Sequence, residues 1–165
     1  MRVELAGKVD ASFELKFEGQ LEDDDRFWVF DLGALGRINS AGVQQWVSFV
    51  ESIDCEYFCF TRCRPPFVDQ INMVWNFVGD GEIVSCHLPF RCKSCGTDFT
   101  ELLDLRTDFE RISNSNLSTL ECPNCGGTAS FDGILEVYLE RILEQGVPSV
   151  PDPCDRVLDD AGSRA

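Results

Sequence analysis

Phe27-Trp28-Val29-Phe30-Asp31-Leu32 leads through Gly33-Ala34-Leu35-Gly36-Arg37-Ile38-Asn39-Ser40 into Ala41-Gly42-Val43-Gln44-Gln45-Trp46-Val47-Ser48-Phe49-Val50. The first six residues are nearly all apolar, the pattern of a central strand buried on both faces. The next eight hold two glycines and read as a loop. In the third stretch Val43, Trp46, Val47 and Val50 recur at i, i+3, i+4 and i+7, which predicts a helix over 41–53. Ser40 stands where its N-cap is expected.

The same alternation extends outward. Glu56 to Thr61 reads as a second buried strand. Pro65-Pro66 suits a helix start, and Phe67, Ile71, Val74, Trp75 and Val78 give that helix one apolar face. Gly79-Asp80-Gly81 stops it, and Glu82 to Cys86 is a strand again. Upstream, Val3-Glu4-Leu5 and Phe13-Glu14-Leu15-Lys16-Phe17 alternate with period two, as half-buried strands do, and Glu22-Asp23-Asp24-Asp25 is a solvated turn. Strands separated by helices of this length need crossover connections. The expected fold class is therefore α/β, a mixed sheet with helices packed on one face. Further on, Ile134, Val137, Tyr138, Arg141 and Ile142 outline a third helix that ends at Gln145-Gly146. Residues from Val147 onward hold three prolines and few apolar side chains, and are expected to be a flexible acidic tail.

Nine cysteines among 165 residues fit poorly with a secreted disulfide framework, because the count is odd. Cys92-Lys93-Ser94-Cys95 and Cys122-Pro123-Asn124-Cys125 lie 26 residues apart, and glycine follows each pair at Gly96 and Gly126-Gly127. Two thiolates three positions apart in a tight turn point at one cation, and the glycine lets backbone amides approach the sulfurs. Two such knuckles supply four soft ligands in tetrahedral geometry, which suits one structural Zn²⁺. The alternatives are paired disulfides, an iron–sulfur cluster or unrelated thiols. Residues 91–130 thus read as a small β-rich zinc ribbon, with Phe99 to Leu105 a candidate strand. The single histidine, His87, lies outside the knuckles and reads as a strand-end residue. Cys59 and Cys86 fall in apolar strand patterns and read as small hydrophobes.

The chain carries 14 basic and 29 acidic residues, a net charge of −15, and no long segment of it is basic. That opposes binding by phosphate neutralisation and docking on anionic lipid. The N-terminus has a charge every few residues, and no run of about 18 apolar residues occurs. A cytoplasmic protein with reduced thiols, no nucleic-acid partner and no membrane insertion is expected.

Phe30-Asp31-Leu32 followed by Ile38-Asn39-Ser40-Ala41-Gly42-Val43, within an order of three strands, helix, strand, helix, strand, resembles the STAS domain. That family occurs in bacterial anti-sigma factor antagonists and in sulfate transporter tails. The resemblance covers roughly residues 1–90, with the helix near 131–146 packing on that unit. It implies that Ser40 matches a phosphorylated serine, Gly42 a motif glycine and Asp31 the aspartate at the strand end. The loop Asp31, Asn39, Ser40, Gly42 then corresponds to the partner-binding surface. Asn39 departs from the family, whose antagonists have aspartate there, and this removes a charge beside the serine.

No glycine-rich nucleotide fingerprint or serine elbow is present, so a non-enzymatic chain is expected. The reading is a protein-interaction module, a regulatory adaptor with an anti-sigma-type partner, switched by phosphorylation at Ser40. The alternative is a constitutive structural subunit of a larger assembly in which Ser40 only caps a helix.

Overall fold

The computed structural model describes residues 1–13, 26–113 and 117–162. Its first half holds β1 (Arg2–Val9), β2 (Phe27–Ile38), α1 (Ser40–Glu51), β3 (Tyr57–Thr61), α2 (Pro65–Met73) and β4 (Glu82–Ile83). The four strands form one sheet in the order β1-β2-β3-β4, and every described pairing is parallel. The expected Glu22–Asp25 turn, and the strand expected at 13–17 beyond Phe13, lie outside the described residues.

Alternation along the strands decides what each face meets. Trp28, Phe30 and Leu32 of β2, with Phe58 and Phe60 of β3, join the core that α1 and α2 cover. Trp46 of α1 is fully buried there, packing against Phe67 of α2 at 5.1 Å between ring centroids. Its indole N–H donates to the Phe77 carbonyl at 2.8 Å. Losing such a buried aromatic side chain costs about 3–5 kcal/mol.

The other face is covered too. Val29 and Cys59 pack with Val84, Cys154 and Leu158. The last two belong to α6 (Asp152–Gly162), so the expected flexible tail is a docked helix over most of its length. Cys154 and Leu158 are four apart, which places them on one side of that helix. Arg106 fastens it by donating to Asp155 at 2.7 Å and to Asp159 at 3.0 Å.

The second half begins with β5 (Ser85–Cys92), followed by β6 (Asp98–Asp104), α3 (Phe109–Ser113), β7 (Thr119–Glu121), β8 (Thr128–Phe131), α4 (Leu135–Tyr138) and α5 (Glu140–Gln145). Its strands form an antiparallel sheet in the order β6-β5-β8-β7. The chain is α/β, as expected, with one parallel and one antiparallel sheet.

Several boundaries differ from the sequence reading. β2 runs on through the expected loop to Ile38, because its glycines serve close approach rather than turning. A side chain on Gly33 would meet the Arg62 guanidinium at 2.8 Å, and one on Gly36 the Gly7 carbonyl at 3.0 Å. The strand expected at Glu82–Cys86 is two strands in two sheets. β5 also crosses the boundary drawn at residue 90, because Leu88, Phe90 and Cys92 continue one buried row. α2 ends at Met73, so Trp75 is 82 % exposed rather than on a buried face. The expected third helix is interrupted at Leu139, where α4 stops and α5 starts. α4 and α5 lean on the first unit, with Asn72 donating to the Tyr138 carbonyl at 2.9 Å and Gln145 to the Ile83 carbonyl at 2.9 Å.

Candidate metal centre and the surface around Ser40

Each cysteine pair sits in a turn that closes on itself. Gly96 N–H donates to the Cys92 carbonyl at 3.0 Å, and Gly126 N–H to the Cys122 carbonyl at 2.9 Å. Both glycines have positive φ, +73° and +69°, which a side chain would oppose. Cys92 N–H donates to the Thr97 carbonyl at 2.9 Å, and Cys122 N–H makes the matching bond to the Gly127 carbonyl at 2.7 Å. Lys93 N–H donates to the Thr128 carbonyl at 3.1 Å and joins the two knuckles.

This brings the four sulfurs of Cys92, Cys95, Cys122 and Cys125 within 4.8 Å of one another. Cys92 Sγ lies 3.6 Å from Cys125 Sγ, and Cys95 Sγ 3.7 Å from Cys122 Sγ. A tetrahedral metal with bonds of about 2.3 Å needs sulfurs about 3.8 Å apart, so these separations fit a four-thiolate site. Cys92 and Cys122 face inward, while Cys95 and Cys125 are exposed.

The surroundings favour thiolates. Backbone N–H groups of Cys95 and Ser94 reach Cys92 Sγ at 3.5 and 3.4 Å and lower its pKa. The Thr97 hydroxyl, 3.1 Å away, is the largest cause that brings Cys95 down to about 5, aided by the Thr97 backbone and by Asn124. At Cys125 the Gly127 amide favours the thiolate, but the Cys95 and Cys92 sulfurs push the thiol up to about 12. Four thiolates at this spacing repel one another, and a bound cation reverses that by deprotonating its ligands outright.

This is the only such group of metal-ligating side chains among the described residues. His87 is not part of it; half-buried on β5, it lies 3.2 Å from the Thr100 hydroxyl through Nδ1. The other thiols divide between packing sites. Cys63 and Cys86 form a parallel bridge between the sheets, both fully buried, while Cys59 of β3 packs in one cluster with Cys154 of α6. Cys55 donates to the Tyr57 carbonyl at 3.4 Å.

The residues proposed around Ser40 are only partly together. Asn39, Ser40 and Gly42 share the first turn of α1. The Asn39 side chain, not Ser40, is the cap, accepting from Gly42 N–H at 2.8 Å. Ser40 is the first helical residue and is exposed. Gly42 is buried because a Cβ there would meet the Val9 carbonyl oxygen at 1.9 Å, so only glycine lets α1 start against the end of β1.

Asp31 is elsewhere. It lies seven residues before the end of β2, about 23 Å along an extended strand from Ile38. It is 1 % exposed and accepts from Arg62 Nε at 2.8 Å, from Gly33 N–H at 2.9 Å and from Arg2. Arg62 holds this contact from a positive φ of 54°. No local pattern points to a pairing for this aspartate, since Arg2 and Arg62 lie 29 and 31 residues away from it.

Comparison with protein-family models, with curated proteins and with solved structures finds no match to this chain.

Proposed function

We propose that this chain is a non-catalytic protein-interaction module, a regulatory adaptor of the STAS type, switched at Ser40 and braced by one structural zinc. The observation that carries the reading is the exposure of Ser40 on the first turn of α1 while Asn39 performs the capping. A serine that capped the helix would be committed to the backbone. This one is free to be read by a partner or modified. A phosphate on Ser40 would sit at the positive end of α1 and add about −1.5 to −2 charges to the surface. On a docking face that repels acidic groups of a partner and breaks the complex.

The zinc assignment rests on the donor set. Four cysteines at tetrahedral spacing leave no open coordination position, which marks a structural ion rather than a catalytic one. It would be held by Cys92, Cys95, Cys122 and Cys125. Its role is to lock the two knuckles at the end of the β6-β5-β8-β7 sheet.

The experiment is copurification of tagged wild type, Ser40→Ala and Ser40→Glu, with the captured proteins quantified by mass spectrometry. The wild type and Ser40→Ala are expected to share a partner that Ser40→Glu loses. Equal capture by all three removes the switch and leaves a constitutive subunit of an assembly.

A further inference from the structure

Four large apolar side chains lie exposed around the C-terminal end of α2 and the start of α4. Met73 is 76 % exposed, Trp75 82 %, Ile134 65 % and Val137 57 %. Trp75, Ile134 and Val137 all fall in helical periodicities that pattern them for burial. Met73, Ile134 and Val137 rim one groove of about 350 Å³, floored by Phe131 and Tyr138. A second groove of about 360 Å³ is lined by Ile71, Val74 and Trp75 among others. Apolar exposure gathered in this way marks an interaction surface.

The charge of the first groove is one-sided. Asp69 and Asp132 line it and, among the described residues, no Lys or Arg does. Burial raises the Asp69 carboxyl, so a cation brought beside it would be favoured. Asn72, also in the lining, gives its amide N–H to Tyr138, while its Oδ1 is buried and accepts no hydrogen bond among the described residues. Glu136 and Glu140 are exposed on the same short helices. The groove therefore offers apolar contacts and two carboxylates. Its complement is an apolar segment that carries hydrogen-bond-donating cations.

We infer that the groove between α2 and α4 is a docking site for a basic amphipathic helix of a protein partner, its apolar face on Met73, Ile134 and Val137 and a Lys or Arg reaching Asp69 and Asp132. Two other occupants have the wrong sign. A second copy brings a net charge of −15. Residues 14–25 of this chain hold six acidic side chains against one lysine. The site is distinct from Ser40 and stands independently of the switch proposed there.

The test is calorimetric titration of the full chain with a synthetic 18-residue amphipathic helix built of leucine and lysine, about five turns long. Trp75 supplies a second signal, since Trp28 and Trp46 are buried at 8 % and 0 % exposure. Micromolar binding is expected, at least about tenfold weaker in Val137→Asp and in Met73→Asp. A peptide of leucine and glutamate should not bind. The two aspartate variants make the chain more acidic, so binding by general charge attraction would tighten in them. Unchanged or tighter binding overturns the proposal, as does no binding of the lysine peptide. Sedimentation that shows a dimer in the wild type and a monomer in Val137→Asp also overturns it, in favour of self-association. Ser40→Glu should bind the peptide as the wild type does, which keeps failure of the switch and failure of the groove apart.

Discussion

Asn39 accepts a hydrogen bond from Gly42 N–H at 2.8 Å, so the residue that caps α1 stands one position before the serine that the sequence pattern singles out. Either residue type caps well, and the sequence alone does not choose between neighbours. The choice is made by Gly42, whose missing side chain lets the first turn of α1 lie against the Val9 carbonyl. With the helix start fixed there, Asn39 N–H donates to the Val9 carbonyl at 3.1 Å and its side chain turns back onto the helix.

The two neighbours should therefore respond differently to alanine. Asn39→Ala removes the cap and is expected to cost about 1 kcal/mol. Ser40→Ala touches an exposed side chain with no capping role and should stay within about 0.5 kcal/mol of the wild type. Urea unfolding of both variants measures this. The reverse order would return Ser40 to the cap and take away the observation that frees it for a partner.

What the sequence made legible follows from range. Period and turn chemistry are local, so β2, α1, β3, the start of α2 and the two cysteine knuckles could be read directly. The glycines of β2 were misleading because Gly33 and Gly36 serve contacts with Arg62 and Gly7, which only the folded sheet brings near. α6 was missed for a similar reason. Pro151 and Pro153 look like breakers, yet at the first turn of a helix proline is tolerated. The apolar side of α6 is short, Cys154, Val157 and Leu158, and its value depends on the bare face of Val29 and Cys59 that it covers.

Asp31 makes the sheet sensitive to acid. Burial alone would raise its carboxyl, but the hydrogen bonds from Arg62, Gly33 and Arg2 outweigh that and hold it below the ordinary 3.8. A carboxyl lowered on folding contributes stability that is present above the unfolded value and is lost as pH falls through the folded one. Asp31→Asn should cost about 3 kcal/mol near neutral pH, the lower end for a broken buried pair, since Arg2 and Arg62 remain 27 % and 39 % exposed and can rehydrate. Between neutral pH and an acidic pH well below 3.8, the gap between variant and wild type should narrow as Asp31 itself takes up a proton. Urea midpoints at both pH values check this, and a constant gap would place the stabilisation outside this carboxylate.

α6 should be the first described element to loosen when Arg106 is lost. Its guanidinium serves Asp155, Asp159 and, at 2.7 Å, Asp104. Arg106→Ala leaves three carboxylates facing one another without a cation. These partly exposed pairs are worth about 1 kcal/mol, or roughly fivefold in local opening. Hydrogen exchange read by mass spectrometry should quicken over 152–162 and stay unchanged in α1. Equal acceleration everywhere would mean that α6 unfolds only with the whole chain.

The metal prediction separates a local role from a global one. Protein purified under reducing conditions should contain about one zinc per chain, and Cys122→Ser should contain almost none. At the knuckles Cys95 and Cys125 are exposed and the turns are closed by backbone hydrogen bonds, with Cys92 and Cys122 reaching the core. The strands behind them differ: Phe90, Leu103 and Phe131 belong to the core that continues to Trp46. Chelation should therefore raise hydrogen exchange at 92–98 and 119–128 by at least about tenfold, since structural zinc supplies folding energy to the turns it closes. α1, β2 and β3 should keep their protection, because Trp46, Phe30 and Phe60 are packed without help from the site. Metal-free protein with protected knuckles would refute the zinc assignment. Collapse of α1 on chelation would instead make the ion a support for the whole chain and bind the Ser40 surface to it.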